Sequence, residues 1–300
     1  MIETLVFDSL IAFVVGAVPV YFAVAVRRQR EGKGTGPGIL GAVGALVWIV
    51  VVYGSFIEPR MLEVRRYDLN IGDGGRTLTV ALISDTHLGQ YRHEEWLRTV
   101  VDRVDALAPD VVLIAGDVVS NAVGIGELGP LRGLKSRYGS YAVLGNWDYQ
   151  AGAVDARKAI EAQGVEVLTN ESVPIAADGG GVRLAGLDDV RYGKPDIDAA
   201  LAEVPPGTPT ILLVHNPDAA PLAESRGINL VLAGHTHAGQ VRLPLVGPVP
   251  KMPIRIGQQF DKGLFYFGPT RLFITPGVGE SGTRARLFNP PEISFLRITY

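Results

Sequence analysis

The chain has 300 residues, 47% of them hydrophobic, and a formal net charge of −3. That charge offers no basic face to nucleic acid, so no nucleic-acid partner is expected. No cysteine occurs, which excludes disulfides, thiolate zinc sites and cysteine nucleophiles.

The mean hydropathy of +0.21 is high for a soluble enzyme, and the cause is local. Leu5 to Val26 is apolar except for Asp8 and Ser9, and Gly38 to Ile57 carries no charge. Each stretch has about 20 residues, enough to cross a hydrocarbon core of roughly 30 Å as a helix. A cleaved signal peptide fits less well, because the first stretch is long, lacks a small-residue cleavage site and is soon followed by the second. Residues 1–57 are therefore expected to be a two-helix transmembrane anchor, making this a multi-pass protein of the cell membrane. Pro19 is tolerable inside a membrane helix. The loop Arg27-Arg28-Gln29-Arg30-Glu31-Gly32-Lys33 is basic. By the positive-inside rule it belongs in the cytoplasm, which places the catalytic domain outside, although Arg60, Arg65 and Arg66 pull the other way. Gly32-Lys33-Gly34-Thr35 lacks the upstream glycine and the preceding strand of a phosphate loop, and reads as a turn.

Residues 58–76 read as a charged linker ending in Gly72-Asp73-Gly74-Gly75, and residues 77–300 as the catalytic domain. Leu78 to Ser84 is a compact apolar strand that delivers Asp85 and His87. Glu94 to Leu107 has helical spacing at Trp96, Val100, Val101, Val104 and Leu107, and Pro109 stops it. Val111 to Ala115 delivers Asp117, and Tyr141 to Leu144 delivers Asn146. Short helices and strands alternate to residue 200, with Gly179-Gly180-Gly181 as a hairpin turn. Ile211 to Val214 delivers His215, and Leu230 to Ala233 delivers His235 and His237. Val241 to Leu243, Leu264 to Phe267, Leu272 to Ile274 and Ile293 to Thr299 close the chain as strands. An α/β fold follows, with mixed sheets packed face to face and helices outside.

Oxygen and nitrogen ligands thus gather at the ends of several strands, where α/β sheets build their sites. Asp85 and His87 are two apart and share a face in an extended segment. Asp117 has two oxygens and can bridge two ions, and Asn146 offers a neutral carbonyl oxygen. His215, His235 and His237 add nitrogens. Seven such ligands exceed the need of one ion and fit two divalent ions of the Mn, Fe or Zn type. His93 stands apart as a surface residue near a helix start. Asp188-Asp189 and Tyr192 read as a loop cap.

The ordered set Asp-x-His, Gly-Asp, Gly-Asn-x-Asp, His, Gly-His-x-His resembles the calcineurin-like metallophosphoesterase superfamily. The stretches Ile83–Gly89, Tyr141–Asn146 and Gly234–Gln240, with Pro276–Gly279 and Pro290–Ile293, resemble its YkuE-like membrane-associated phosphodiesterase branch. The resemblance covers roughly residues 60–300 and implies an αββα sandwich. It implies one metal on Asp85, His87, Asp117 and His237, and another on Asp117, Asn146, His215 and His235. A metal-bridging hydroxide would attack phosphorus in line, cleaving a phosphodiester or pyrophosphate. The anchor makes a phosphate ester of a lipid-linked kind a natural substrate. The family's Gly-Asn-His-Asp departs here to Gly145-Asn146-Trp147-Asp148. In the family that histidine sits over the substrate, with Asp148 expected to orient it. Indole donates one hydrogen bond and cannot act as a general acid, so good leaving groups are expected to be preferred. The alternative is a membrane-tethered metal-binding module with weak catalysis.

Overall fold

The computed structural model describes residues 2–175 and 181–300; Gly179 and Gly180 of the expected glycine turn lie outside the described residues. The chain opens with α1 (Ile2–Arg30) and α2 (Gly38–Val52). Both are long and apolar enough to cross a bilayer, over Leu5–Arg30 and Gly38–Arg60. Many of their apolar side chains face outward, with Phe13, Ile39 and Leu46 all exposed. The second helix does not stop at Val52. It continues through a π-helical turn (Tyr53–Ile57) and a 3-10 turn (Glu58–Arg60) into the following domain.

Two six-stranded mixed sheets form that domain. The first holds β1 (Glu63–Asn70), β2 (Thr77–Ile83), β3 (Val111–Ala115), β4 (Ser140–Val143) and β5 (Glu166–Val167). The second holds β6 (Glu171–Ile175), β7 (Val182–Gly186), β8 (Thr210–Leu213) and β9 (Leu230–Ala233). A small hairpin pairs β10 (Arg242–Leu243) with β11 (Gly247–Pro248). Then β12 (Gly263–Phe267) and β13 (Thr270–Ile274) complete the second sheet, and β14 (Glu292–Thr299) returns to the first. The strand orders are β1-β14-β2-β3-β4-β5 and β12-β13-β9-β8-β7-β6. Helix α3 (Glu94–Asp105), the short α4 (Ala122–Ile125) and α5 (Asn146–Glu161) follow β2, β3 and β4. Helices α6 (Ile197–Leu201) and α7 (Ala220–Ser225) flank the second sheet.

Burial separates into three apolar layers, as a four-layer sandwich requires. Leu82, Leu113, Leu213, Leu232 and Phe273 fill the space between the sheets. Ile83, Val100, Val104, Ile114 and Ile160 lie between the first sheet and its helices. Leu212, Ala220, Ala223 and Val231 lie between the second sheet and its helices. Strands β3, β8 and β9 are buried on both faces, which is why they read as continuous apolar runs instead of alternating. The αββα expectation therefore stands.

The linker expectation needs correction. Residues 58–76 include β1, an edge strand paired in parallel with β14 from Glu63↔Glu292 to Asn70↔Thr299. Its charges had marked it as a link, but an edge strand carries charge on its open side without penalty. Arg65, Arg66 and Asp68 are exposed, whereas Leu69 is buried. Glu58 is also buried, and accepts the backbone N–H groups of Phe288 (2.9 Å) and Asn289.

Candidate metal centre

Strands β2, β3, β4, β8 and β9 all point their C-terminal ends to one rim, and each releases a site residue there. The turns that follow are held in unusual backbone geometry. Asp85, His87, Asp117, His235 and His237 have φ of 55°, 50°, 52°, 69° and 49°. Left-handed backbone costs an L-residue on the order of 1–2 kcal/mol. Here it is compensated by ladder-like bonds, including Asp85 N–H to Gly116 O (2.9 Å) and His87 N–H to Asp117 O (3.0 Å). Strain concentrated on five of the seven candidate ligands marks a built site. Two glycines give these side chains room. A Cβ on Gly145 would stand 2.3 Å from Asp117 Oδ1, and one on Gly116 2.8 Å from His215 Nδ1.

The ligands converge in two buried groups, Asp85 with His87 and His237, and Asp117 with His215 and His235, each within 4.8 Å. In the first, His237 Nε2 faces Asp85 Oδ1 at 3.2 Å and His87 Nε2 at 3.0 Å. In the second, His215 Nε2 lies 3.1 Å from both Asp117 Oδ2 and His235 Nδ1. The outer nitrogens have their own partners. His215 Nδ1 donates to Ala115 O (2.7 Å), and His235 Nε2 to Pro253 O (3.3 Å). Those bonds fix the rings so that His215 Nε2 and His235 Nδ1 face inward, the orientation expected of metal-ligating imidazoles. His87 Nδ1 is held by Ser120 Oγ at 3.1 Å. Asp85 Oδ1 and Asn146 Oδ1 are buried and have no hydrogen-bond partner among the described residues. Lone pairs packed this closely without donors are costly to bury. Divalent cations satisfy them, and an all-N,O donor set suits ions of the Mn, Fe or Zn type.

The titration of the cluster reflects the same crowding. Burial alone raises Asp85, but the facing His237 outweighs it and holds the carboxyl well below the ordinary range. Asp117 is lowered in the same way, burial being outweighed chiefly by His215. Burial works against a proton on His215, yet Asp117 pushes it up to about 10. Burial pushes His87 down to about 4 and His235 to about 3.

Asp148 has a structural task that its motif position did not announce. It is fully buried, and its oxygens accept Gly145 N–H (2.8 Å) and Val119 N–H (2.9 Å). The first bond is the reciprocal half of a helix capping box. The second ties the start of α5 to the loop carrying Asp117. Asp148 thus holds these two loops together, each of its oxygens accepting one main-chain N–H. Trp147 donates its backbone N–H to Asp117 Oδ1 (2.7 Å), and its ring stands edge-on to His87 with centroids 5.9 Å apart. The indole lines a cleft of about 350 Å³ with Asn146, His235 and His237. Arg191 and Lys251 also line that cleft. No motif announced them, because they reach the site from loops distant in sequence.

His93 is exposed at the start of α3 and bonded to Glu127 at 2.9 Å, remote from the ligand groups as expected. Asp188 and Asp189 cap their loop, accepting the N–H groups of Lys194, Arg191 and Tyr192. Sequence reading missed Arg286. It is fully buried and donates to carbonyl oxygens of Pro276 (2.9 Å), Gly277 (3.1 Å), Gly279 (2.7 Å) and Asn289 (3.1 Å). These carbonyls belong to the loops that back Asp85. Burial lowers the Arg286 pKa to about 10, so the guanidinium stays charged at neutral pH. Arg286→Leu strands that set of acceptors, each worth about 1–3 kcal/mol if left unpaired. The variant is expected to lose at least about 3 kcal/mol of stability, read as a melting midpoint lowered by about 10 °C in detergent. An unchanged midpoint would show that the loop is held by other contacts.

The profile of the family described as calcineurin-like phosphoesterase matches residues 78–239. The metallophosphoesterase YkuE of Bacillus subtilis (strain 168) is 31% identical over 251 residues, covering 81% of this chain and 87% of that protein. A metallophosphoesterase of Helicobacter pylori (strain ATCC 700392 / 26695) is 33% identical, covering 82% of this chain and 65% of its own length. A transmembrane protein with metallophosphoesterase domain from Bos taurus is 35% identical, covering 73% of this chain and 52% of its own length. With the matched segment running from the strand before Asp85 to the turn holding His237, this chain belongs to the calcineurin-like phosphoesterase family.

Proposed function

We propose that the chain is a membrane-anchored phosphodiesterase or pyrophosphatase working with two divalent ions. One ion is assigned to Asp85, His87, Asp117 and His237, the other to Asp117, Asn146, His215 and His235. The observation that carries this reading is the position of Asp117 Oδ2, 3.6 Å from His87 Nε2 and 3.1 Å from His215 Nε2. One carboxylate oxygen thus serves both groups. When bound, such a pair supplies Lewis-acid stabilisation of phosphoryl charge and an acidified water nucleophile.

The remaining work falls to the protein. Arg191 and Lys251 attract the phosphate anion to the cleft and fix its oxygens. Trp147 covers the His87 side and excludes water. It offers an N–H donor but no transferable proton, so the leaving group departs without acid help. The short basic loop with Arg27, Arg28, Arg30 and Lys33 supports placing the catalytic domain on the outer face of the membrane.

Full-length protein in detergent, stripped with a chelator, is expected to lose turnover of bis(p-nitrophenyl) phosphate and regain it with Mn²⁺. Ions bound at about 1,000 times their Kd stabilise by about 4 kcal/mol, so the melting midpoint should fall on stripping and recover with the ion. Metal analysis should count two ions per chain. Trp147 favours one other reading, a binding module without catalysis. Two bound ions with no turnover of any phosphodiester or pyrophosphate would select it.

A further inference from the structure

The segment Arg286–Asn289 lies between the membrane anchor and the cleft. On one side Arg286 N–H donates to Gly54 O (2.8 Å), and Glu58 takes the amides of Phe288 and Asn289. On the other side Leu287 exchanges backbone bonds with Gln240 (3.1 Å) and Arg242 (2.9 Å), and Asn289 Nδ2 donates to His237 O (2.8 Å). The end of the second span is therefore one peptide segment away from a candidate ligand and from the stem of the β10–β11 hairpin. Adjacent strands lie about 5 Å apart, so the hairpin starts within about 10 Å of the helix that enters the bilayer.

The hairpin itself is Leu243-Pro244-Leu245-Val246-Gly247-Pro248-Val249, with no charged residue between Arg242 and Lys251. Hairpin tips of soluble domains carry Asn, Asp or Gly, which suit left-handed backbone and water. Here Leu245 holds φ 67° and is fully exposed, and Val246 is 72% exposed. Both the conformation and the exposed apolar surface are unfavourable in water; the turn is closed by Val246 N–H to Leu243 O (3.2 Å), which leaves both side chains uncovered. Val241 and Pro250, at the two ends of the hairpin, line the cleft beside Lys251.

We propose that the hairpin Leu243–Val249 inserts into the bilayer interface beside the second helix. The cleft then opens at the lipid surface and receives an amphiphilic phosphate ester whose chains remain in the membrane. Lys251, just beyond the apolar tip, stands at headgroup height for an anionic phosphate. The identity of the guest rests on the phosphoesterase reading above; the membrane contact does not.

Because the chain has no cysteine, single labels are clean. Leu245→Cys carrying an environment-sensitive NBD dye, in full-length protein in phosphatidylcholine/phosphatidylglycerol nanodiscs, is expected to emit blue-shifted light. Doxyl lipids should quench it and iodide should not. Val154→Cys, exposed on α5, serves as the water-facing control. A dye at 245 as open to iodide as one at 154 overturns the insertion. The double variant L245E/V246E should keep turnover of bis(p-nitrophenyl) phosphate in micelles within about twofold, since neither residue lines the cleft. Turnover of an acyl-chain p-nitrophenyl phosphodiester in vesicles should drop by about tenfold or more. Equal effects on both substrates, or none on the vesicle substrate, would overturn the proposed route of entry. If the wild type cleaves neither substrate, the phosphoesterase reading fails, and the dye alone decides the insertion.

Discussion

Asp117→Asn is expected to remove phosphodiester turnover by at least about 10³-fold while leaving the fold intact. The side chain is fully enclosed and keeps one oxygen for the Trp147 N–H, a bond that asparagine can also accept. What asparagine lacks is the charge on the oxygen between His87 and His215. The amide that replaces it presents either N–H donors or a neutral carbonyl to both groups. Metal analysis of the purified variant should fall below two ions per chain, and circular dichroism should match the wild type. A variant that retains two ions and full turnover would remove Asp117 from its bridging position.

Trp147→His is the second large effect, and its direction is upward. The wild type is expected to show a steep dependence on leaving-group pKa, because its leaving group departs unprotonated. A histidine at this position faces the same cleft and can donate a proton, an effect worth about 10²–10⁴-fold. Asp148 already accepts the amides of Gly145 and Val119, which hold its carboxylate in place and limit how far it can turn toward a new imidazole. The gain for alkyl esters is therefore set near about 10²-fold, with little change for p-nitrophenyl esters. Rates measured across a series of aryl and alkyl phosphodiesters decide the matter. Parallel lines for the two proteins would mean that leaving-group protonation does not limit either.

Much of the candidate site could be read in the chain because its candidate ligands follow strands buried on both faces. An unbroken run such as Val111–Ala115 or Leu230–Ala233 needs no partner to be recognised, and the polar residues just after it stand out. The supporting residues behave differently. Arg286 looks like any surface cation in sequence; only the convergence of carbonyls from residues 276–289 reveals its place. Asp148 sits where the motif predicts an orienting carboxylate, and the sequence did not reveal that it also accepts the main-chain amides of Gly145 and Val119. Strand β1 was hidden for a related reason. Its identity depends on pairing with β14, some 230 positions away in sequence, and local charge outweighs that signal in any short window. Arg191 and Lys251 share no motif with the ligands, and their approach to the cleft is a property of loop geometry alone.

The strand order β1-β14-β2 also bears on how the protein is made. Strand β14, the last of the described strands, is an interior one, lodged between the two that follow the apolar helices. Until β14 has cleared the ribosome, β1 has no neighbour, and β2 is open on the side that β14 will fill. Glu58 likewise waits for the amides of Phe288 and Asn289. By then the two N-terminal helices have long been available for insertion. Such long-range closure is slow and leaves open edges exposed during synthesis. The first sheet thus stays unfinished, with β1 unpaired and β2 half-paired, until β14 emerges.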